Sequence, residues 1–349
     1  MNAPPSPLRL CLDGAALVAN WRWLAAQSGA AACGAAVKAD GYGLGAAEVV
    51  PRLIKAGCRD FFVANWVEAL ALGSLPEGVA LSVLHGVREE DMAVATTSTA
   101  KPVLNSVAQI ERWRSTGRPC DVMVDTGMNR LGVSVGDVAN GLLDGLTIDT
   151  LMSHLACADE NVAQNAAQQS AFAALSGKTN AKRMSLANSA GICLGADYAF
   201  DLTRPGLALY GGIPRDEAAG HIAQVAFPEA QIVQRRRITA GDSVGYNATF
   251  TATRDMELAI LNIGYADGYW RGFSNSGSAG RGRSPVIGRV SMDLTAICVD
   301  AEPALGEGDW VTLDYDLAAA SAASSLSQYE LLTGLGGRFT RSWISGIVM

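Results

Sequence analysis

Short apolar runs punctuate the chain as far as about residue 215: Cys33–Val37, Asp60–Ala64, Ala80–Leu84, Lys101–Leu104, Asp121–Val124, Ile148–Ser153, Arg183–Ala187 and Leu202–Leu209. Between most of them lie longer amphipathic or Ala-rich stretches, such as Leu44–Ala56, Asn65–Leu72, Ser106–Arg114 and Ala163–Leu175. The short runs suit fully buried strands, and the longer stretches suit helices. Strands alternating with helices predict a parallel (β/α)8 TIM-type barrel in preference to a doubly wound sheet. No G-x-G-x-x-G opens a helix with a later acidic partner, so a Rossmann site is not expected. Beyond about residue 225 the pattern changes. Ala230–Ile238, Glu257–Ile263, Thr295–Val299 and Trp310–Leu313 are separated by Gly-Asp and Gly/Ser-rich turns, and Ile238–Val244 reads as strand, tight turn, strand. Ser321–Thr333 has the serines of a capped helix. The expected organisation is a barrel over residues 8–224, followed by a mainly β C-terminal domain over 225–349.

Composition narrows the function classes. The chain has 349 residues, 49% hydrophobic and 17% charged, which is enough to bury a large core over two domains. A net charge of −7 argues against a nucleic-acid partner. The basic clusters Arg235–Arg237 and Arg271 to Arg283 read as solvated charge. Seven cysteines are scattered without a C-x-x-C pair, and several fall in apolar runs. They read as buried thiols, with no disulfide framework and no metal site. No apolar run reaches the roughly 18 residues of a membrane helix, and no signal peptide is evident. A reducing cytoplasm is the expected compartment.

Candidate chemistry falls where a barrel would put it, at the C-terminal ends of the strands. Lys38 and Tyr42 follow the first strand. Asp125–Arg130 follows the fifth, His154 ends the sixth, Asn188-Ser189 ends the seventh, and Arg204-Pro205-Gly206-Leu207 lies in the eighth. A lysine delivered to a strand tip is how a barrel presents a Schiff-base nucleophile. Small residues after strands seven and eight suit a phosphate-binding corner.

Seven ordered phrases then identify a resemblance. They are Val37-Lys38-Ala39-Asp40-Gly41-Tyr42-Gly43, Asp125-Thr126-Gly127-Met128-Asn129-Arg130-Leu131-Gly132, Ser153-His154-Leu155-Ala156-Cys157-Ala158-Asp159-Glu160 and Ala187-Asn188-Ser189-Ala190. The series continues through Arg204-Pro205-Gly206-Leu207-Ala208-Leu209-Tyr210-Gly211, Gly264-Tyr265-Ala266-Asp267-Gly268-Tyr269 and Gly288-Arg289-Val290-Ser291-Met292-Asp293. The chain resembles the alanine racemases, pyridoxal-phosphate enzymes built from a barrel and a β domain.

The resemblance implies interconversion of L- and D-alanine, in the family role of supplying D-alanine for cell-wall synthesis. Lys38 would hold pyridoxal 5'-phosphate as a Schiff base and, once released, act as one base. Tyr265 would be the second base, on the opposite face, since racemisation removes a proton from one face and delivers it to the other. His154 beside Arg204 would support that tyrosine. Arg204 would face the ring nitrogen of the cofactor. An arginine does not surrender its proton there, so the ring would be a weaker electron sink and side reactions would be disfavoured. Tyr42, Ser189 and the amides of Gly206 and Leu207 match the phosphate cradle. Arg130 matches the group that bonds the phenolic oxygen of the cofactor and, with the backbone of Met292, receives the substrate carboxylate. Each site would take Tyr265 from a second subunit, which implies a C2 homodimer.

Two positions depart from the family pattern. A lysine that becomes carbamylated often stands seven residues before the arginine; here that place is Met123, which leaves open what orients Arg130. Trp343 stands where a phosphate-binding tyrosine is usual, and an indole only donates. The alternatives are a racemase of serine or broader amino-acid range, and a pyridoxal-phosphate-binding protein without turnover. Barrels of the last kind lack the β domain and with it Tyr265.

Overall fold

The computed structural model describes residues 4–344. They form two compact units, one of Val18–Leu209 with Ile213–Ile222, the other of the segment up to Leu17, Tyr210–Gly212 and the chain from Ala223 on.

The first unit is a parallel barrel. Its first strand is Ala32–Cys33 continued by Ala35–Ala36. Around it follow, each parallel to the last, Asp60–Val63, Ala80–Val83, Lys101–Leu104, Pro119–Asp125, Thr147–Met152 and Arg183–Ser185. Leu202–Thr203 closes the ring. It pairs with Ala32–Cys33 on one side, and on the other the amides of Asp201 and Arg204 donate to the carbonyls of Met184 and Ala187. The expected runs are short because parallel strands buried on both faces can be wholly apolar; Asp60–Val63 is buried at every position.

Helix starts follow their caps. Asn65 Oδ1 accepts the Glu68 amide to begin Trp66–Leu72, and Ser106 accepts the Gln109 amide to begin Val107–Arg114. The helix expected from Leu44 begins instead at Ala46, whose amide is taken by Asp40 Oδ1 at 2.8 Å. A larger difference lies at the eighth strand. Expected over Leu202–Leu209, it stops at Thr203, and the chain turns into a short 3-10 helix, Leu207–Tyr210. Pro205 offers no N–H to a ladder, and the amides of Gly206 and Ala208 are bound by Ser189 Oγ.

The second unit is a sheet in the order Thr295–Cys298, Met256–Leu261, Ala226–Ile238, Leu8–Asp13, Thr340–Ile344, with Trp310–Thr312 also on the long strand. Residues 8–17, expected in the barrel, belong here. The cause is pairing: Leu8–Asp13 runs antiparallel to Ala226–Ile238 and parallel to Thr340–Ile344. The turn after Ile238 forms as expected, with Asp242 Oδ2 accepting from Thr239, but Ser243–Val244 pairs forward with Phe250–Thr251. Ser321–Thr333 divides into parts of two helices, Leu317–Ser324 and Gln328–Thr333. The second has its own capping box between Ser327 and Glu330. Among the described residues no helix is long and apolar enough to cross a membrane.

Charges cluster at the N-terminal ends of the barrel strands. Lys101 Nζ lies 2.8 Å from Asp149 and 3.7 Å from the fully buried Asp121, which also accepts from Ser82 Oγ and the Thr150 amide. Lys182 reaches Asp149 from outside at 2.7 Å. Removing the inner cation strands a buried carboxylate, whereas removing the exposed one forfeits a surface pair. Lys101→Met is therefore expected to lower unfolding stability by roughly 3–5 kcal/mol, and Lys182→Ala by less than about 1 kcal/mol, as read by urea denaturation.

Candidate active site

Lys38 follows Val37 at the tip of the first strand, and the backbone after it takes an unusual path. Ala39, Asp40, Gly41 and Tyr42 all have φ between 52 and 63°, a full turn of left-handed helix. For the three that are not glycine, this conformation costs about 1–2 kcal/mol each. The turn is held by Gly41 N–H to Val37 O, Gly43 N–H to Ala39 O and Gly45 N–H to Asp40 O, each 2.8 Å. A second support comes from outside it. Glu68, at the start of the next helix, accepts the Ala39 amide at 3.0 Å with one carboxylate oxygen and the Ala64 amide at 2.7 Å with the other. Burial holds the Lys38 ammonium below its usual range, Arg130 adds to the effect, and Glu68 opposes it.

Arg204 is buried behind this turn. Its guanidinium donates to the Ser153 carbonyl at 2.6 Å and to the Ser185 hydroxyl. The Ser185 hydroxyl in turn donates a hydrogen bond to the Leu202 carbonyl. Both acceptors are neutral, and burial pushes Arg204 down to about 10, against the pull of Asp121. His154 is half-buried. Burial, then Arg204, Arg130 and Lys38, push its imidazole down to about 3, so it is neutral at ordinary pH. Gln168, itself buried, fixes this loop by donating to His154 O at 3.0 Å and accepting the Ala156 amide at 2.9 Å.

Arg130 is exposed at the end of a loop built by Asp125. One carboxylate oxygen of that residue accepts the amides of Gly127, Met128 and Asn129 at 2.8, 2.9 and 3.1 Å. Burial raises the Asp125 carboxyl, but these amides outweigh it and hold the group below the usual carboxylate range. The Arg130 side chain has no ion-pair partner among the described residues. Met123 is buried within its strand, opposite Met152, so the position of the family lysine is apolar here. The backbone of Arg130 is thus placed by Asp125.

At the ends of strands seven and eight, Ser189 Oγ lies 2.9 Å from the Gly206 amide and 3.2 Å from that of Ala208. The Tyr42 hydroxyl presses in from the first strand. A β-carbon at residue 206 would stand 2.2 Å from it, so only glycine permits this approach. Leu207 begins the short helix beside them. Two hydroxyls and a run of amides make a compact anion cradle.

In the β unit, Tyr265 opens a short helix, Tyr265–Asp267. Its amide and that of Ala266 donate to the carbonyls of Ser291 and Met292, both at 3.0 Å. Gly264 must be glycine here, because a β-carbon would fall 2.3 Å from both carbonyls. The Arg271 guanidinium stacks 4.7 Å over the Tyr265 ring, a cation–π contact. Met292 is 53% exposed. Trp343 is half-buried in Thr340–Ile344, opposite Leu12.

Lys38, Tyr42, Arg130, His154, Ser189, Arg204, Gly206 and Leu207 thus lie on one barrel, at the C-terminal ends of its strands; Tyr265 and Met292 share one corner of the β unit. Sequence reading did not find Glu68, Gln168, Ser153, Ser185 or Arg271. The Asn65-x-x-Glu68 spacing marks a helix start, but nothing in it signals that the carboxylate reaches a neighbouring turn.

The mouth of this parallel barrel therefore brings together a lysine held below its ordinary pKa and a corner of two hydroxyls and backbone amides, which is the setting of a barrel enzyme. The family models for the N-terminal and C-terminal domains of alanine racemase match residues 12–214 and 225–343. The alanine racemase of Acidiphilium cryptum is 41% identical over 98% of this chain and 99% of its own. The biosynthetic alanine racemase of Agrobacterium fabrum is 39% identical over 97% and 94%. The crystal structure of the Bartonella henselae enzyme, with covalently bound pyridoxal phosphate, superposes with a TM-score of 0.90 at 36% identity, covering 98% of this chain and 100% of that one. The chain belongs to the alanine racemase family.

The neutral state of His154 has a measurable consequence. Its folded pKa, about 3, lies below the unfolded value of 6.5, so between those limits the unfolded chain binds more protons. The stability linked to His154 is complete above pH 6.5 and declines as pH falls toward 3. The loss of melting temperature between pH 6.5 and 4.5 should therefore be smaller in His154→Gln than in the wild type, measured by calorimetry.

Proposed function

We propose that this chain interconverts L-alanine and D-alanine with pyridoxal phosphate bound at the barrel mouth, by two bases on opposite faces of the substrate. What supports this reading is the likeness of the whole chain to alanine racemases, one of them solved with covalently bound pyridoxal phosphate, together with Lys38 at the tip of the first barrel strand beside the Ser189–Gly206 corner.

The residues fit the cofactor. Lys38 would hold its carbonyl carbon. Ser189, Tyr42 and the amides of Gly206 and Leu207 would hold the phosphate, where Gly206 leaves room for no side chain. Arg204 would donate to the ring nitrogen, and Arg130 to the phenolic oxygen and the substrate carboxylate, beside the backbone of Met292. When bound, pyridoxal phosphate supplies the electron sink that makes the α-proton removable.

The rest is work for the protein. The amine of Lys38 takes or returns the α-proton on one face; its lowered pKa leaves more of it unprotonated near neutral pH. The Tyr265 hydroxyl does the same on the other face. His154 is neutral and therefore has one ring nitrogen able to accept a proton from that hydroxyl and return it. Arg204 behind it disfavours a second positive charge, so the proton is held only briefly. Tyr265 belongs to the unit that does not hold Lys38, and we read the working site as composite, with Tyr265 from a second copy in a C2 dimer. All seven cysteines are unpaired thiols, which supports a cytoplasmic setting.

The test is chiral chromatography of L-alanine incubated with protein and added cofactor. Tyr265→Phe should lose roughly 10²–10⁴ in rate, and Lys38→Ala should be inactive. Mixing the two variants and allowing subunits to exchange should restore about a quarter of wild-type activity, since half the dimers are mixed and each mixed dimer has one intact site. No recovery, with exchange verified by mass, would place both bases in one chain. A cofactor-loaded wild type that leaves L-alanine unchanged would refute the substrate, with L-serine next to try.

A further inference from the structure

We infer that Glu68 is a positioning residue for Lys38: its carboxylate clamps the left-handed turn to the neighbouring loop and sets its negative charge beside the ammonium. The inference rests on the reading of Lys38 as a base. Its geometry begins with a departure from an ordinary helix start. In a capping box the third residue reaches back to the amide of the cap itself. Here the cap is Asn65, and its side chain accepts the Glu68 amide as usual. The Glu68 side chain does not return to Asn65. One oxygen goes to the Ala64 amide at 2.7 Å and the other crosses to the Ala39 amide at 3.0 Å.

Ala39 is the first residue of the left-handed turn and the one bonded directly to Lys38. Its amide has no backbone acceptor within the turn, so without Glu68 the strained segment would lose its tie to the neighbouring loop. The Lys38 side chain departs from the same point, and a shift there moves its amine. A carboxylate suits this place because it accepts through both oxygens at once. A glutamine would accept through one and turn an N–H₂ toward the other amide.

The charge has a separate effect. The ionisable groups facing Lys38 are Glu68 from the second βα loop, Arg130 from the fifth, and His154 from the sixth. His154 is neutral, Arg130 and burial lower the ammonium pKa, and Glu68 alone raises it. It offsets part of the effect of burial and Arg130, so Lys38 stays nearer its ordinary range than those two alone would leave it.

Two variants separate the parts. Glu68→Gln keeps the length and removes the charge; Glu68→Asp keeps the charge and shortens the reach. One readout needs no turnover: the pH midpoint of Lys38 arylation by trinitrobenzenesulfonate in full-length protein freed of carbonyl ligand, followed by peptide mass. The midpoint should fall in Glu68→Gln and change little in Glu68→Asp. In the cofactor-loaded protein, kcat profiles from both alanine enantiomers should each lose one limb to lower pH in Glu68→Gln. One is the acid limb, where Lys38 accepts the proton; the other is the alkaline limb, where it donates. Glu68→Asp should lower kcat about tenfold to a hundredfold with its limbs in place. An unmoved arylation midpoint in a folded Glu68→Gln overturns the inference. So does a loss of melting temperature in both variants with no displacement of any pH midpoint, which would make Glu68 merely structural. If the midpoint moves but no alanine is racemised, the placement of Glu68 stands and the proposed reaction fails.

Discussion

A guanidinium buried without a carboxylate beside it sets the terms at the barrel mouth. Arg204 is satisfied by a serine hydroxyl and a backbone carbonyl, which meet its hydrogen bonds but not its charge. A buried cation in that state raises the cost of every further positive charge nearby. His154, lowered first by its own burial and then by Arg204, stays neutral, while Lys38 gives up its proton more readily through burial and Arg130. An anion is correspondingly favoured, and the corner of Ser189 and Gly206 lies on the same two strand ends that carry Ser185 and Arg204. The mouth therefore disfavours further positive charge, and with it the charged forms of the two groups whose pKa values it lowers.

The second constraint is backbone strain. Three residues without glycine's freedom occupy the left-handed region directly after Lys38. Such a turn persists only where its surroundings over-determine it. Its own hydrogen bonds, the Asp40 cap on the following helix and the Glu68 clamp do so here. The strain has a use. A right-handed start would carry the chain straight into the helix, whereas the left-handed turn brings Tyr42 back to face Gly206. The lysine and the hydroxyl that packs on Gly206 are thus delivered by five consecutive residues.

Much of this was legible in the sequence, for physical reasons that differ by element. Barrel strands are buried on both faces, so their runs stand out; Lys101–Leu104 has the bounds expected, and most of the others differ by one or two residues at an end. Helix starts at Trp66 and Val107 were announced by Asn65 and Ser106. The eighth strand was misjudged because Arg204–Leu209 is apolar enough to read as strand; the end at Pro205 depends on hydrogen bonds to Ser189, which composition does not report. Residues 8–17 were placed in the barrel because chain order suggests neighbours, while strand pairing with residues 226–230 and 340–344 is non-local. At the site, the resemblance supplied Lys38, Tyr265 and their partners. Glu68 and Gln168 escaped notice because their contacts join loops distant in sequence.

The same strands divide stability from chemistry between their two ends. Pro119–Asp125 has Asp121 near its start, fully buried and paired to Lys101, and Asp125 at its finish, binding only backbone amides to shape the Arg130 loop. Arg183–Ser185 begins with an arginine held by both oxygens of Asp60 and ends, two residues later, with the serine that receives Arg204. At the entry end Lys101, Lys182 and Arg183 each have a carboxylate within 4 Å, whereas at the exit end Lys38, Arg130 and Arg204 form no such ion pair among the described residues. That asymmetry follows from what each end must do. Paired charges are locked by their partners and resist change in protonation. A proton can be moved only where a group is left between states, and the barrel leaves such groups only at the ends where its strands emerge. Compensation at one end makes it possible for the other to remain uncompensated without unfolding the barrel that carries both.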